Sequence, residues 1–254
     1  MRITIIGTSS GLASVSRNQS AILVEVSDLV CLLDAGEGTT RAMLSQSLDP
    51  NAVSSIVITH THQDHCGGLA GLIQYMQLTG RTNPLSIFLP QESVETFQKY
   101  LDAVYLSSHK LSFPYSLTGW ESGAVINAAD CTAELHLTHH LDSVRTLAEV
   151  AGLGVRSAAA VIRAEGKLVV YSSDVQSVSD LDDTPRQADL LILECTHIGL
   201  DEIMEAVSEW RAKQVLLTHV PMELEGMVST LKDMAAKWGI PDIQFASDGT
   251  SVVV

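Results

Sequence analysis

Short runs of aliphatic and β-branched residues recur along the chain, separated by longer stretches whose apolar side chains fall three and four positions apart. The short runs predict strands over residues 2–6, 21–26, 29–33, 54–59, 85–89, 134–138, 158–163, 167–172, 190–193 and 215–218. The longer stretches predict helices over 39–46, 69–78, 94–105, 201–213 and 222–238. Strands follow one another directly in the first part and alternate with helices in the second, which favours mixed sheets covered by helices over a purely parallel sheet. Residues 105–120 stand apart, with Phe113, Tyr115 and Trp120 set among turn formers and little periodicity. Such a segment reads either as a lid whose aromatics contact substrate or as a surface connection whose aromatics plug the edge of the core.

No repeat, low-complexity tract or linker interrupts the 254 residues, so a single domain over 1–254 is expected. Hydrophobic residues make up 46% and charged ones 18%. No apolar run reaches the roughly 18 residues needed to span a bilayer, and the opening Met1-Arg2-Ile3-Thr4-Ile5-Ile6-Gly7 is too short for a secretory leader. It reads as the first strand of a mature cytoplasmic protein. Cys31, Cys66, Cys131 and Cys195 form no CxxC pair, so reduced thiols are expected rather than a zinc ribbon or a disulfide framework. Fifteen basic against thirty acidic residues give a net charge of −15, which disfavours long nucleic acids as partners.

The chemistry concentrates where the apolar run Ile56-Val57-Ile58 ends in Thr59-His60-Thr61-His62-Gln63-Asp64-His65-Cys66-Gly67-Gly68. Three of the nine histidines fall within six positions after a buried-type strand, too dense for a solvated loop with Asp64 as a helix cap. If the strand end stays extended, His60 and His62 point the same way and can grip one ion, while Asp64 and His65, beyond the bend, face a second. Imidazole and carboxylate donors without thiolate suit zinc and also accommodate manganese or iron.

This HxHxDH pattern resembles the metal-binding signature of the metallo-β-lactamase superfamily, whose fold is an α+β, four-layer αββα sandwich with two mixed β-sheets. Gly7-Thr8-Ser9-Ser10-Gly11, Arg17-Asn18-Gln19-Ser20 and Leu33-Asp34-Ala35-Gly36-Glu37-Gly38-Thr39 resemble the opening motifs of its ribonuclease Z branch, which implies phosphodiester chemistry. The resemblance implies further ligands: a histidine in Thr138-His139-His140-Leu141-Asp142-Ser143, Asp174 after the strand ending Tyr171-Ser172-Ser173, and His219 after Val215-Leu216-Leu217-Thr218. His139, whose spacing to Ser143 resembles the family's third histidine motif, is the preferred member of its pair and His140 the rival. Neighbours on an extended chain point in opposite directions, so only one can face the metals. The implied arrangement is His60, His62 and His139 on one divalent ion, Asp64, His65 and His219 on the other, and Asp174 between them. The two ions, zinc in the first instance, would share an activated hydroxide, with Asp64 also orienting the nucleophile or taking its proton.

The chain departs from ribonuclease Z at two points. The long arm that grips transfer RNA, inserted there between the positions matching His139 and Asp174, is missing, and Leu193 stands where the family carries a proton-donating histidine. His197, four residues on, is the candidate replacement acid, and Glu194 and Thr196 are candidates to support the metal ligands. The chain is in these respects similar to arm-less relatives that open cyclic phosphates, including phosphoribosyl cyclic phosphodiesterases and the phage anti-Pycsar enzymes that hydrolyse cyclic mononucleotides. The resemblance therefore implies a dinuclear phosphodiesterase acting on a small diester, with Phe113, Tyr115 or Trp120 stacking on a base across a homodimer interface. The alternatives are a transfer RNA 3′ endonuclease, a lactonase or thioester hydrolase using the same ions, and a non-catalytic metal-stabilised binding module.

Overall fold

β1 (Arg2–Gly7), β2 (Ala21–Val26) and β3 (Leu29–Leu33) form an antiparallel meander. The turn between β2 and β3 is only two residues, which places Ser27 at φ 50°. There follow α1 (Thr39–Ser45), β4 (Ser55–Val57), α2 (Gln63–Cys66), α3 (Leu69–Leu78), β5 (Leu85–Pro90), α4 (Val94–Ala103) and β6 (Tyr115–Trp120). The second half comprises β7 (Val125–Ala128), β8 (Cys131–Thr138), α5 (Arg145–Ala151), β9 (Ser157–Ala164), β10 (Lys167–Tyr171), β11 (Leu190–Glu194), α6 (Leu200–Trp210), β12 (Val215–Thr218), α7 (Val228–Trp238), β13 (Ile243–Phe245) and β14 (Ser251–Val253). The computed structural model describes residues 1–128 and 130–254.

The strands form two seven-stranded sheets, ordered β14-β1-β2-β3-β4-β5-β6 and β13-β12-β11-β10-β9-β8-β7. Both are mixed. The first turns from antiparallel to parallel at the β3–β4 pairing, and the second is parallel from β10 to β13 and antiparallel from β10 to β7. A central core of Ile3, Ile5, Val24, Leu33, Leu135, Ala160, Val169 and Ile192 lies between the sheets. The outer face of the first sheet is covered by α1, α3 and α4 through Met43, Leu72, Ile73, Met76 and Leu101. Ile203, Met204, Val207 and Leu231 of α6 and α7 cover the outer face of the second. This is the four-layer αββα arrangement with two mixed sheets. β9 shows why inner strands lose their alternation: Ala158 and Ala160 pack inward and Ala159 outward, and all three are fully buried.

Two predicted elements change. The helix expected over 222–238 begins only at Val228, because Pro221 opens a short 3-10 turn at Met222–Leu224 and Gly226, at φ 87°, breaks the helical path. Residues 105–120 do not form a lid built on their aromatics. Tyr115–Trp120 is β6, paired in parallel with β5 from Leu85↔Tyr115 to Pro90↔Trp120. Phe113 and Tyr115 are buried in the outer core, where the Tyr115 hydroxyl donates to the Leu106 carbonyl at 3.0 Å. Trp120 enters the central core and its indole N–H donates to the Ile58 carbonyl at 2.9 Å. Large apolar rings with one polar handle are stabilised by this combination of burial and a satisfied donor, which removes all three from the substrate surface. Among the described residues, no helix is long and apolar enough to cross a membrane.

Candidate metal centre

β8, β10, β11 and β12 run in one direction, so their C-terminal ends open on a single edge of the second sheet. Opposite them, β3 and β4 deliver Asp34 and His60 from the first sheet, and Ala158 N–H donates across to Thr59 O at 3.2 Å. Three side chains at this seam leave their strands in left-handed conformation: Asp34 at φ 60°, Ser173 at φ 49° and His219 at φ 53°. Each such residue costs on the order of 1 kcal/mol, and their concentration at one site marks backbone geometry retained for something other than stability. Close approach matters too: a Cβ on Gly36 would stand 2.2 Å from the Asp64 carbonyl, and one on Gly68 2.1 Å from Gly36 O. Both glycines let the α2 turn press against the loop after β3.

Two donor sets result. His60, His62, His140 and Asp174 form one, Asp64, His65, Asp174 and His219 the other, with the ligand atoms of each within 4.8 Å of one another. Asp174 is common to both: its Oδ1 lies 3.2 Å from His65 Nε2, and its Oδ2 lies 3.4 Å from His219 Nε2, 3.5 Å from His140 Nε2 and 3.8 Å from His60 Nε2. His60 Nε2, His65 Nε2 and Asp174 Oδ1 are buried without a hydrogen-bond partner. Buried polar atoms are costly unless satisfied, so three orphaned atoms aimed at one space fit divalent cations as the missing partners.

The other ring nitrogen of three histidines is tied back to the protein. Asp34 Oδ2 lies 2.8 Å from His65 Nδ1, Ser20 Oγ 3.1 Å from His219 Nδ1 and Thr59 Oγ1 3.3 Å from His60 Nδ1. Such contacts set ring orientation and leave Nε2 for a cation. Burial, reinforced by the neighbouring His65, pushes the His60 imidazole well below its usual range. Burial likewise lowers His62, and takes His140 down to about 4. These rings are therefore neutral at pH 7, the state a metal ligand requires. For His65 burial acts downward, but the carboxylates of Asp174 and Asp34 outweigh it and raise the ring well above its usual value. Burial opposes ionisation of Asp174, yet His219 and His65 hold it well below the carboxylate range.

His140, not His139, joins the cluster. The preference for His139 came from its spacing to Ser143 on a backbone taken as extended, whereas His139 has already turned, at φ −98° and ψ 11°, into the 3-10 turn His140–Val144. Asp180 then captures it, accepting from His139 N–H at 3.0 Å and lying 2.5 Å from Nδ1, with the His139 side chain 65% exposed. That capture rotates His140 inward, where its Nε2 lies 3.1 Å from His62 Nδ1. The other residues expected at the site, His60, His62, Asp64, His65, Asp174 and His219, all meet there.

His197 sits at the rim, its ring centroid 4.6 Å from that of His140 and 5.7 Å from that of His219. Glu194 holds it from below: Oε1 lies 2.9 Å from His197 Nδ1, and Oε2 accepts from His197 N–H at 2.9 Å and Thr196 N–H at 2.8 Å. The hydrogen bond to Glu194 raises the His197 imidazole above its ordinary value. Leu193, at the position of the absent family histidine, is wholly buried in the outer core. Thr196 Oγ1 donates to the His219 carbonyl, so Thr196 supports that backbone.

The anti-Pycsar protein Apyc1 family matches residues 1–232. The chain belongs to that family. Its fold is that of the metallo-β-lactamase proteins. A solved metallo-β-lactamase fold protein, YhfI of Bacillus subtilis, superposes with a TM-score of 0.79 at 21% identity over 99% of this chain and 98% of its own. Human short-form tRNase Z superposes at 0.76 with 19% identity over 100% and 99%. Ribonuclease Z of Methanococcus aeolicus is 36% identical over 113 residues, 44% of this chain, and the match spans only 34% of that relative's length.

Against the ribonuclease Z pattern, this Apyc1-family chain has only a short helix, α5, and the β9–β10 hairpin between His140 and Asp174. The supporting residues Ser20, Thr59, Tyr171, Asp180 and Asp248 carried no individual signal in the sequence. Asp248 clamps two of the opening motifs, accepting from Thr8 N–H and Oγ1–H and from Asn18 N–H and Nδ2–H, across more than 200 residues of chain.

Proposed function

We propose that this protein is a metal-dependent hydrolase of a small phosphodiester, with a cyclic nucleotide or cyclic phosphate as the substrate class. The shared Asp174 carries this reading, because a carboxylate common to two donor sets brings two charges to one substrate group. Family membership and the names of the relatives support it. His60, His62, His140 and Asp174 would hold one ion, and Asp64, His65, His219 and Asp174 the second, with zinc best matched to the donor chemistry. When bound, a pair of divalent cations lowers the pKa of water and offsets negative charge on a phosphate.

The protein's own residues do the rest. Asp64, buried in the second set, orients the attacking water and accepts its proton. A new oxygen–phosphorus bond forms as the bond to the leaving oxygen breaks. His197, whose protonated form the hydrogen bond to Glu194 favours, delivers a proton from Nε2 to that leaving oxygen. The product is a phosphomonoester and an alcohol, or a ring-opened monoester from a cyclic substrate. The four cysteines are free and buried, which accords with a reducing cytoplasm, and a homodimer is the proposed assembly.

The test is turnover by the full chain with zinc or manganese on 2′,3′- and 3′,5′-cyclic nucleotides and bis(p-nitrophenyl) phosphate, beside a 3′-extended transfer RNA and acyl esters. Hydrolysis of the small diesters is expected. Cleavage of the transfer RNA alone, or of acyl substrates alone, overturns the reading. Asp174→Ala should abolish turnover and deplete bound metal, whereas retained ligand binding without turnover in the unaltered chain would indicate a binding module.

A further inference from the structure

The buried carboxylate of Asp34 reaches further than the second donor set. It meets His65 Nδ1 at 2.8 Å, Thr59 N–H at 2.8 Å, the Tyr171 hydroxyl at 2.9 Å and the Thr59 hydroxyl at 2.9 Å. A carboxylate only accepts, so each of these groups must give it a proton. That settles the direction of the Thr59 hydroxyl, which has a single proton to give. With it committed to Asp34, Thr59 Oγ1 faces its remaining neighbours as an acceptor.

Those neighbours are Ser173 Oγ at 2.7 Å and His60 Nδ1 at 3.3 Å. Ser173 supplies its hydroxyl proton. His60 must carry its own proton on Nδ1, which leaves Nε2 bare toward the first donor set. Asp34 thus acts on His65 directly and on His60 at one remove, through a single oxygen. Asp34, Thr59, His60, His65 and Ser173 are all wholly buried, so bulk water does not compete for these bonds. Ser173 holds φ 49°, and with that backbone its hydroxyl meets Thr59 while the next residue, Asp174, enters both donor sets.

The main chain of Thr59 is held independently of its side chain. Its N–H donates to Asp34, and its carbonyl accepts from Ala158 N–H at 3.2 Å across the two sheets. Exchange of threonine for valine therefore removes the hydroxyl from a strand end that stays anchored. We propose that Thr59 is a positioning residue, whose hydroxyl relays the charge of Asp34 to His60, holds that ring as the Nδ1–H tautomer and so presents Nε2 to the first ion. The proposal rests on the two-ion reading above and is independent of which ester is cleaved.

Long-range proton–nitrogen NMR correlations on the zinc-loaded full chain, prepared with isotope-labelled histidine, are expected to place the His60 proton on Nδ1. A proton on Nε2 overturns the relay, and this measurement needs no variant. Zinc affinity is then read by chelator competition with each donor set isolated, since His219→Ala leaves the first and His140→Ala the second. On the His219→Ala background, Thr59→Val should weaken zinc by about 10- to 100-fold, and Thr59→Ser should restore it to within about threefold. On the His140→Ala background, Thr59→Val should change zinc affinity by less than about threefold. Equal losses on both backgrounds would mean loosened packing alone, and no loss on the first would mean that His60 needs no relay; either result overturns the proposal. Cleavage of acyl esters alone with this Thr59 pattern intact removes the phosphodiester reading and keeps the relay. Diester turnover with zinc affinity unmoved by Thr59→Val does the reverse.

Discussion

His65 Nδ1 lies 2.8 Å from Asp34 Oδ2, and both side chains are wholly buried. Asp34 also accepts from Thr59 N–H at 2.8 Å and from the Tyr171 hydroxyl at 2.9 Å, so one carboxylate joins the ends of β3, β4 and β10 behind the second donor set. Asp34→Asn keeps the shape and tolerates φ 60° but loses the charge that orients the His65 ring. Metal affinity, measured by chelator competition, is expected to fall about 10- to 100-fold with an unchanged circular dichroism spectrum. An unaltered affinity would falsify the orienting role.

The adjacent histidines separate cleanly. His140→Ala should release metal and cut diester turnover by about 100-fold or more, since it removes a donor outright. His139→Ala should retain metal stoichiometry, because this side chain faces Asp180 and solvent. Elemental analysis of the two purified variants decides, and the opposite pattern would restore His139 as the ligand.

Proton delivery by His197 predicts dependence on the leaving group. His197→Ala should slow cleavage of an alkyl diester by about 10²- to 10⁴-fold. Release of p-nitrophenolate, which needs no proton, should change by less than about tenfold. Equal losses on both substrates would mean that the imidazole acts only through packing.

Trp120 is a core residue, and its replacement should show in stability alone. Trp120→Phe leaves the Ile58 carbonyl without its indole donor, at a cost of about 1–3 kcal/mol in denaturant unfolding. KM for diesters should not move. A raised KM at unchanged stability would return the aromatic to the substrate surface.

Burial pushes the Cys31 thiol up to about 11 and that of Cys66 up to about 12. A thiol whose folded pKa is raised is favoured in its neutral form, so its contribution is fully present below the unfolded value of about 8.5 and is lost as pH rises through the folded value. Stability should decline progressively above pH 9 or so in alkaline denaturation curves. Iodoacetamide at pH 8 should leave these cysteines unmodified in the native protein and label them in urea. Rapid native labelling would show that the sites open far more easily than their burial implies.

Much of the architecture was legible because each ligand follows a strand of recognisable pattern. The runs ending at Ile58, Thr138, Tyr171 and Thr218 are apolar enough to be inner strands, and a polar residue with chemistry follows each within a few positions. The weaker edge strands β6, β7 and β13 were not legible, since short edge segments with glycine or polar residues carry little alternation. β14 closes the first sheet beside β1, a pairing across nearly the whole chain that no local pattern records.

The HxHxDH spacing alone committed this chain to a cluster of imidazole and carboxylate at a strand end, because the side-chain period of an extended backbone is set locally. Choosing between His139 and His140 required the backbone to have turned and Asp180, about forty residues on, to take hold of one of them. The fate of Phe113, Tyr115 and Trp120 likewise depended on β6 pairing with β5. Burial and partner choice are properties of contacts between distant segments, and only the folded chain brings those segments together.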